Sequence, residues 1–432
     1  MNYYDIKNPT HKVSLKEAVL KSISSDSGLY MPEKIPVLPA SFFTRLPDMN
    51  LQEIAFEVAQ AMLGDDIPSD DLKQIVDEAV SFPIPLKKLD ENLYVLELFH
   101  GPTLAFKDVG ARFMAGLFQY FLRNDNRDVV ILVATSGDTG SAVANAFYNR
   151  KGVKVVILYP SGKVSALQEK QLTTMGGNIT ALEVDGNFDD CQRLVKQAFA
   201  DTELNNRMNL TSANSINFAR LFPQSFYYFN AVAQLGKFHK PVIFSVPSGN
   251  FGNLTAGLIA KKMGLPVHLF IASTNQNHCV PDYLQSGEFN PQLTVHTITN
   301  AMDVGNPSNF PRLLELFNKQ HQLAVESLSG YWFTDEQTRE AMAEIQLEYD
   351  YTADPHGAVA YAGLKEYGLG NDFTGIFLET AHPAKFPEEV EKATATPVKI
   401  PAELLDILNL EKLSSKIPCS YDCLLEKLDF MK

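Results

Sequence analysis

The stretch Val129-Val-Ile-Leu-Val-Ala-Thr-Ser-Gly-Asp-Thr-Gly-Ser141 decides the fold class of this 432-residue chain. An apolar run over 129–134 leads into a turn rich in Gly, Ser and Thr, and the turn leads into a helical pattern over 142–149. A buried strand, a polar turn and a helix in this order form the repeating unit of parallel α/β sheets. The stretch therefore predicts a βα unit in a parallel sheet.

The same pattern recurs further along the chain. The strand-like run 242–246 precedes Pro247-Ser-Gly-Asn-Phe-Gly-Asn253 and a helical pattern, and the run 375–378 precedes Glu379-Thr-Ala-His-Pro-Ala-Lys385. Ligands of open α/β sheets bind beyond the carboxyl ends of the strands. We therefore expect the three turns to form one site.

The remaining patterns divide the chain into regions. We expect a mainly helical N-terminal domain over 1–90, a two-lobed α/β catalytic region over 91–390 with its smaller lobe roughly over 120–225, and a C-terminal extension over 391–432 that packs as short helices. Apolar residues recur at helical spacing in three N-terminal segments. These are 14–23, 51–63 and 70–80.

Composition excludes several classes of function. The formal net charge of -14 and the absence of a basic block argue against a nucleic-acid partner, because such binding depends on clustered cations. No apolar run has membrane-spanning length, and no signal peptide is recognisable, so we expect no membrane partner. Four scattered cysteines favour a reducing, cytoplasmic location. Cys419 and Cys423 lack a second ligand pair, so no metal site is expected.

Lys107 ends the stretch Phe99-His-Gly-Pro-Thr-Leu-Ala-Phe-Lys107, just before a helical pattern. The apolar Ala105 and Phe106 favour partial desolvation, which lowers a lysine pKa and leaves more neutral amine to form a Schiff base. Asp108 would act in the opposite direction. Taken alone, Lys107 is also compatible with a solvated lysine at a helix start.

The turn Ser248-Gly-Asn-Phe-Gly-Asn253 suits a phosphate group. Gly249 and Gly252 allow close approach of the backbone, and the following helix offers unpaired N–H groups. It matches neither the P-loop nor the dinucleotide-binding pattern. An ordinary βα turn remains the alternative.

Two further segments carry clusters of polar side chains. Thr135, Ser136 and Thr139 would hold a carboxylate at a helix start, whereas Asp138 suits an anion poorly. The stretch Ser212-Ala-Asn-Ser-Ile-Asn-Phe-Ala-Arg220 would grip a second phosphate through charge-assisted hydrogen bonds. In the first segment the polar residues are equally compatible with helix capping, and in the second a helix cap beside a solvated arginine is the default interpretation.

Thr380 and His382 follow the strand-like run 375–378, and their polar side chains indicate no specific function. Thr380 offers one hydroxyl, for which capping is the default interpretation. His382 has no partner in a recognisable catalytic triad, so a structural role is favoured.

Six motifs together resemble the threonine synthase family, in its bacterial and fungal branch, within fold type II of the pyridoxal 5′-phosphate enzymes. The similarity begins at Ser27-Gly-Leu-Tyr-Met-Pro and reaches at least Phe386. The motifs are Leu98-Phe-His-Gly-Pro-Thr-Leu-Ala-Phe-Lys-Asp-Val-Gly-Ala-Arg-Phe113, Ala134-Thr-Ser-Gly-Asp-Thr-Gly140, Ser212-Ala-Asn-Ser-Ile-Asn217, Val246-Pro-Ser-Gly-Asn-Phe-Gly-Asn253, Asn300-Ala-Met-Asp-Val304 and Thr380-Ala-His-Pro-Ala-Lys-Phe386.

The resemblance implies a fold and a reaction. The fold would be two open, twisted, mostly parallel sheets flanked by helices, with a helical N-terminal region. The reaction would convert O-phospho-L-homoserine and water into L-threonine and phosphate, by γ-elimination and β-addition with pyridoxal 5′-phosphate as cofactor. The enzyme would be a carbon–oxygen lyase that acts as a monomer or homodimer.

The resemblance also implies a role for each site residue. Lys107 would hold the cofactor and move protons at the substrate Cα and Cβ, and Thr380 would face the pyridine nitrogen. The cofactor phosphate would bind to Gly249, Asn250, Phe251, Gly252 and Asn253. The substrate carboxylate would bind to Thr135, Ser136, Asp138 and Thr139, and the substrate phosphate to Asn214, Ser215 and Arg220.

One departure concerns Asp138, because many fold relatives carry Asn there. An acid at this position has to be protonated, hydrogen-bonded or turned away. Two alternative functions remain open. One is another fold type II enzyme, such as a serine/threonine dehydratase or cysteine synthase, which would have no use for a second phosphate site. The other is a non-catalytic homologue that binds a small molecule.

Overall fold

A computed structural model of the chain describes residues 1–24, 27–124, 128–236 and 240–429. The N-terminal region combines a small antiparallel sheet, in the order β2-β1-β3, with helices that pack beside it. The polar side chains of Ser14 and Asn50 cap α1 and α3, which explains where these two helices begin. The elements are β1 (Asn2–Asp5), β2 (Lys12–Ser14), α1 (Leu15–Lys21), β3 (Tyr30–Pro32), α2 (Ala40–Arg45), α3 (Leu51–Leu63) and α4 (Ser69–Ala79).

The next elements begin with two strands of the larger lobe, β4 and β5, and continue into the smaller lobe. They are β4 (Leu86–Lys88), β5 (Leu93–Glu97), α5 (Lys107–Leu122), β6 (Val129–Ala134), α6 (Asp138–Phe147), β7 (Val153–Pro160), α7 (Ala166–Thr173), β8 (Ile179–Asp185), α8 (Phe188–Ala200), α9 (Thr202–Arg207), β9 (Asn209–Thr211), α10 (Phe218–Leu221) and α11 (Ser225–Leu235).

The chain then completes the larger lobe and returns to the smaller one. These elements are β10 (Val242–Pro247), α12 (Gly252–Lys262), β11 (Val267–Thr274), α13 (Cys279–Ser286), α14 (Phe310–Leu316), α15 (His321–Val325), β12 (Leu328–Trp332), α16 (Asp335–Tyr349), α17 (Pro355–Tyr367), β13 (Thr374–Glu379), α18 (Pro387–Thr394), α19 (Ala402–Leu408), β14 (Ser414–Pro418) and α20 (Tyr421–Asp429). Short 3-10 turns lie at Leu46–Asp48, Phe222–Gln224, Asn300–Met302 and Pro383–Lys385.

Two sheets organise the α/β region. The larger has the strand order β12-β11-β10-β13-β5-β4 and is parallel except for the edge strand β4. The smaller has the order β14-β8-β7-β6-β9 and is parallel throughout. Strands β6 and β13 are buried along their whole length, as expected for sheets covered by helices on both faces.

Each predicted βα turn is present at the carboxyl end of its strand. Strand β6 ends at Ala134, β10 at Pro247 and β13 at Glu379, and the next helices start within a few residues of the first two. The fold class predicted from the sequence is thus confirmed. The division into domains stays a prediction, and its helical C-terminal extension also contributes strand β14, which pairs with β8.

Among the described residues, no helix is both long and apolar enough to cross a membrane. All four cysteines are free thiols, and Cys191 and Cys279 are buried.

Candidate active site

A cleft lies where the three predicted turns meet. It brings together Lys107 from α5, the turn after β6, the segment before α10, the turn after β10 and the end of β13. The lining residues that the sequence predicted are Lys107, Thr135, Ser136, Thr139, Asn214, Ser215, Arg220, Gly249, Asn250, Phe251, Gly252, Asn253 and Thr380. The structure therefore assembles one site from residues that are far apart in the sequence.

Lys107 is the first residue of α5, and its segment is anchored to Thr380 across the cleft. The N–H of Phe106 donates to the carbonyl of Thr380 at 2.9 Å. Burial lowers the pKa of Lys107 to about 8, since desolvation outweighs the opposite effect of Asp138 and adds to repulsion from Lys385 and Arg220. A lysine in this state supplies neutral amine near physiological pH.

The carboxylate that opposes this shift is Asp138 and not the sequence neighbour Asp108. Asp108 is buried and accepts two hydrogen bonds from Thr103, at 2.6 Å from Oγ1 and 2.9 Å from the backbone N–H. These bonds tie its side chain to the segment that precedes α5. The expectation that Asp108 counteracts desolvation of Lys107 was therefore wrong, because sequence adjacency does not determine which way a side chain points.

Asp138 forms a buried ion pair with Lys385. The Lys385 Nζ lies 2.7 Å from the Asp138 Oδ1, which also accepts a hydrogen bond from the Gln168 Nε2 at 2.9 Å. Burial alone would raise the pKa of Asp138, but the charges of Lys385 and Lys107 outweigh burial and hold it well below its usual range. Of the three states considered from the sequence, Asp138 thus adopts the hydrogen-bonded and ionised one.

The turn after β10 presents backbone N–H groups to the cleft. Phe251 adopts a left-handed conformation with φ of 59°, and α12 begins directly after it. A Cβ on Gly249 would lie 2.7 Å from the Met302 Cα, so only glycine fits there. In the described part of the chain, the N–H groups of residues 249–253 meet no protein acceptor. They form a cradle for an anion.

The turn after β6 is closed by one hydroxyl. The Thr135 Oγ1 accepts hydrogen bonds from the N–H groups of Gly137 and Gly140, both at 2.9 Å. Thr135 thus caps the turn, while Ser136 and Thr139 also face the cleft. The predicted carboxylate-binding role of this loop has hydroxyl donors available for it.

Helix α10 carries a buried arginine with an unused donor, next to the polar residues of the segment before it. Arg220 is 3% exposed, and its Nη1 donates to the carbonyl of Ala213. The Arg220 Nε and the Asn214 Oδ1 are buried without a hydrogen-bond partner among the described residues. Burial lowers the pKa of Arg220 to about 10, which leaves it positively charged at neutral pH. Such a group is suited to bind an anion in the cleft.

Beneath Thr380 lies a group of buried carboxyls that sequence reasoning missed. Asp354 caps α17 and accepts hydrogen bonds from the His356 Nδ1 at 2.6 Å and from the Ala381 N–H at 3.1 Å. Glu379 accepts from the N–H of Asp354. These contacts link the end of β13 to α17 and hold the backbone next to Thr380.

Two other lining features were not assigned a role from the sequence. His356 lines the cleft, and its Nε2 accepts from the N–H of Ala301 at 3.3 Å. Ala301 belongs to the quoted motif Asn300–Val304, whose residues Met302 and Val304 also line the cleft.

His382 caps the turn Pro383–Lys385 through its Nδ1, which supports the structural role favoured for it.

Comparisons with known proteins agree with this geometry. Residues 79–375 match the family described as pyridoxal-phosphate dependent enzyme, residues 2–80 the threonine synthase N terminus and residues 357–424 the threonine synthase C-terminal family. A curated relative, the threonine synthase of Haemophilus influenzae, is 49% identical over 405 residues, which cover 94% of each chain.

Two solved structures are also similar. The crystal structure of threonine synthase from Escherichia coli has a TM-score of 0.94 at 44% identity, and the match covers 100% of both chains. The pyridoxal-phosphate-bound threonine synthase from Brucella melitensis has a TM-score of 0.92 at 34% identity, covering 100% of this chain and 99% of the other.

The two parallel sheets and the lysine-containing cleft define a pyridoxal-phosphate-dependent enzyme of fold type II. The similarity extends through the N-terminal and C-terminal regions as well as the cofactor-binding region. The chain belongs to the threonine synthase family. The predicted family, fold class and cofactor are thereby confirmed.

The residues present fit pyridoxal phosphate. The cleft offers an amine with a lowered pKa at Lys107 and a cradle of unpaired N–H groups at 249–253. Within this cradle, Gly249 has no space for a Cβ. The Asn253 Nδ2 is buried without a hydrogen-bond partner among the described residues. An amine for the aldehyde and donors for the phosphate are the two groups that this cofactor requires.

Proposed function

We propose that this enzyme converts O-phospho-L-homoserine and water into L-threonine and phosphate. Bound pyridoxal phosphate supplies an electron sink for the negative charge that develops on the carbon atoms of an amino acid. We assign the holding of the cofactor to Lys107, to residues 249–253 and to Thr380. This assignment rests on the position of these residues in the cleft.

Lys107 is the residue that we assign to proton movement at the substrate Cα and Cβ. Its pKa near 8 suits this work, because a group that titrates near the working pH both accepts and returns protons. Asp138 and Lys385 form an ion pair close to Lys107. This ion pair does not occupy the Lys107 amine.

The single observation that carries the choice of substrate is the buried Arg220 beside Asn214 and Ser215. This arginine forms no ion pair with a described carboxylate, and its Nε has no partner. A phosphate that leaves from Cγ gains negative charge, which preorganised donors stabilise. A dehydratase or a cysteine synthase acts on substrates without a γ-phosphate and would have no use for this feature.

The substrate carboxylate is assigned to the turn after β6. Ser136 and Thr139 face the cleft there, and Thr135 holds the turn in shape. Asp138 is assigned a supporting role, since Lys385 and Gln168 occupy its Oδ1.

We further propose a cytoplasmic enzyme that acts as a monomer or homodimer, without a nucleic-acid partner. The four free thiols and the net charge of -14 support the compartment and the partner class respectively.

The test is a turnover assay on purified protein loaded with cofactor. We expect equal amounts of L-threonine and inorganic phosphate from O-phospho-L-homoserine. Lys107→Ala should reduce kcat by at least about 10³-fold, and borohydride reduction should label one wild-type peptide, which contains Lys107. Lys151→Ala, at an exposed lysine, is the matched control. A keto acid or cysteine as the product would contradict the proposal.

A further inference from the structure

Arg312 is a fully buried cation outside the residues assigned so far. Its side chain in α14 is 0% exposed, and no carboxylate in the described ranges forms an ion pair with it. The guanidinium donates instead to three oxygens. They are the Tyr30 carbonyl at 2.9 Å, the Asn309 Oδ1 at 2.9 Å and the Ser215 carbonyl at 3.2 Å.

A buried arginine without a counter-ion is costly, because its desolvation is not repaid by a charge of opposite sign. Burial lowers the pKa of Arg312 to about 9, which still leaves it charged at neutral pH. Its three acceptors come from the N-terminal region, from the segment before α10 and from the turn that precedes α14. The positive charge is thus held directly behind Ser215.

The bond from Arg312 sets the orientation of the Asn309 amide. Arginine only donates hydrogen bonds, so the Asn309 oxygen has to face Arg312 and the amide nitrogen has to face away. That nitrogen donates to the Ser215 Oγ at 2.9 Å. Because the Ser215 hydroxyl accepts there, its own hydrogen is free to point to another acceptor. Ser215 lines the cleft, where the acceptor would be an anion.

The same turn contacts the cofactor cradle by bonds of a different kind. The Asn309 backbone N–H donates to the carbonyl of Asn250 at 3.3 Å, and the Ser308 backbone N–H donates to the Asn250 Oδ1 at 3.2 Å. Neither bond depends on the orientation of the Asn309 amide. Changes to Arg312 should therefore affect the Ser215 side of the cleft more than the cofactor side.

We propose that Arg312 is a positioning residue for the substrate phosphate: through Asn309 it makes Ser215 a hydrogen-bond donor towards the cleft. Its charge adds to that of Arg220. The inference rests on the proposed function, in which Asn214, Ser215 and Arg220 bind the phosphate of O-phospho-L-homoserine. It adds a polarity relay, Arg312 to Asn309 to Ser215, behind that site.

Two variants test the relay. Arg312→Met removes the donors and the charge. Asn309→Asp keeps the shape and gives Arg312 an ionic partner, but its carboxylate cannot donate to Ser215, which then has to turn its hydroxyl away from the cleft. Both should raise the KM for O-phospho-L-homoserine about tenfold to 100-fold and change kcat about threefold or less, as expected for one lost hydrogen bond to a charged group.

Two binding measurements separate positioning from general damage. Inorganic phosphate, titrated by calorimetry into cofactor-loaded protein, should bind at least about tenfold more weakly to Asn309→Asp than to the wild type. L-threonine, titrated by cofactor absorbance, should bind equally to both. Arg112→Met is the matched control, because Arg112 donates to the Glu78 carbonyl at 2.8 Å and to the Ser81 hydroxyl, and none of these three residues lines the cleft.

The outcomes discriminate clearly. Unchanged phosphate binding in Asn309→Asp overturns the relay, and so does an equal loss of phosphate and L-threonine binding. If Arg312→Met does not fold, Asn309→Asp carries the test. If the wild type binds phosphate more tightly than Asn309→Asp but releases none from O-phospho-L-homoserine, the relay is supported and the proposed function fails.

Discussion

Two buried charge clusters near the cleft are balanced in different ways. Beside the proposed substrate-phosphate site, Arg220 and Arg312 form no ion pair with a described carboxylate, and their lowered pKa values of about 10 and 9 still leave them charged. Beneath Thr380, by contrast, the buried groups are carboxyls, which are able to lose their charge by taking up a proton.

The charges of the buried carboxyls beneath Thr380 are compensated without any ligand. Glu97 pairs with Lys87 and His100, both at 2.7 Å, and Asp354 is bonded to His356. Burial and the nearby charge of Asp354 raise the pKa of Glu379 well above its usual range, which favours its neutral form. The arginine side keeps its charge, because arginine does not lose its proton near neutral pH. The difference indicates that the arginine side is completed only by an anionic ligand.

Removing one arginine should break this asymmetry most strongly. Arg220→Met is expected to lower kcat/KM for O-phospho-L-homoserine by about 10²- to 10³-fold, the usual effect of removing one donor to a developing charge. Cofactor absorbance should stay unchanged, since the cradle at 249–253 does not involve Arg220. Steady-state kinetics and absorbance spectra measure both effects.

Arg123→Met is the control for this experiment, because Arg123 pairs with Asp71 at the surface. If Arg220→Met lost the cofactor as well as activity, the two sides of the cleft would not be independent and the comparison would be wrong.

The corresponding change on the carboxyl side should affect stability more than turnover. Asp354→Asn would place an amide nitrogen against one of two sets of donors, since Asp354 accepts on both oxygens from His356 and Ala381. A buried donor left unpaired costs about 1–3 kcal/mol. We expect a lower midpoint in thermal unfolding of the cofactor-loaded enzyme.

Asp350→Asn, at an exposed position that caps α16, is the control for Asp354→Asn. An unchanged midpoint for Asp354→Asn would show that the carboxylate is dispensable for holding the end of β13.

The turns of the cleft were predictable from sequence because each is a local pattern. A strand followed by glycines and hydroxyls is visible within some ten residues, and parallel strands bring such turns to one edge. The Gly249–Asn253 turn was predicted in this way, whereas Lys107 was singled out by its apolar neighbours before a helical pattern.

The charge partners were not predictable, because each joins distant segments. Lys385 lies 247 positions after the Asp138 that it pairs with, as the residue numbers show, and Arg312 reaches Tyr30 across 282 positions. Strand β14 is short and has one buried residue, so it gave no periodic signal of its own, and only its pairing with β8 makes it a strand. Spacing reports local backbone preference and contains no information about which buried charges meet.

The titration of Lys107 responds to its burial and to the nearby charges of Asp138, Lys385 and Arg220. Its pKa of about 8 means that the neutral amine fraction rises about tenfold per pH unit below pH 8 and levels off above it. After cofactor removal, the rate constant for pyridoxal phosphate capture by Lys107 should follow this profile. Stopped-flow absorbance between pH 6 and 10 measures it.

Arg220→Met sharpens the same experiment, because Arg220 contributes to lowering the Lys107 pKa. The plateau should move to higher pH in this variant. A wild-type rate that still rises tenfold per unit up to pH 10 would mean that Lys107 keeps an ordinary lysine pKa.

The smallest effect is expected at Glu379. A carboxyl with a raised folded pKa stabilises the fold fully below its unfolded pKa of 4.5, and this contribution is lost as pH rises towards the folded pKa. Glu379→Gln cannot titrate and should escape this loss. Between pH 5.5 and 8, its unfolding midpoint should therefore fall less than that of the wild type. Glu91→Gln, at an exposed carboxylate, should keep the wild-type pH dependence. Identical pH dependence in all three proteins would mean that Glu379 is ionised in the folded enzyme, and that the carboxyl side of the cleft, like the arginine side, retains its full charge.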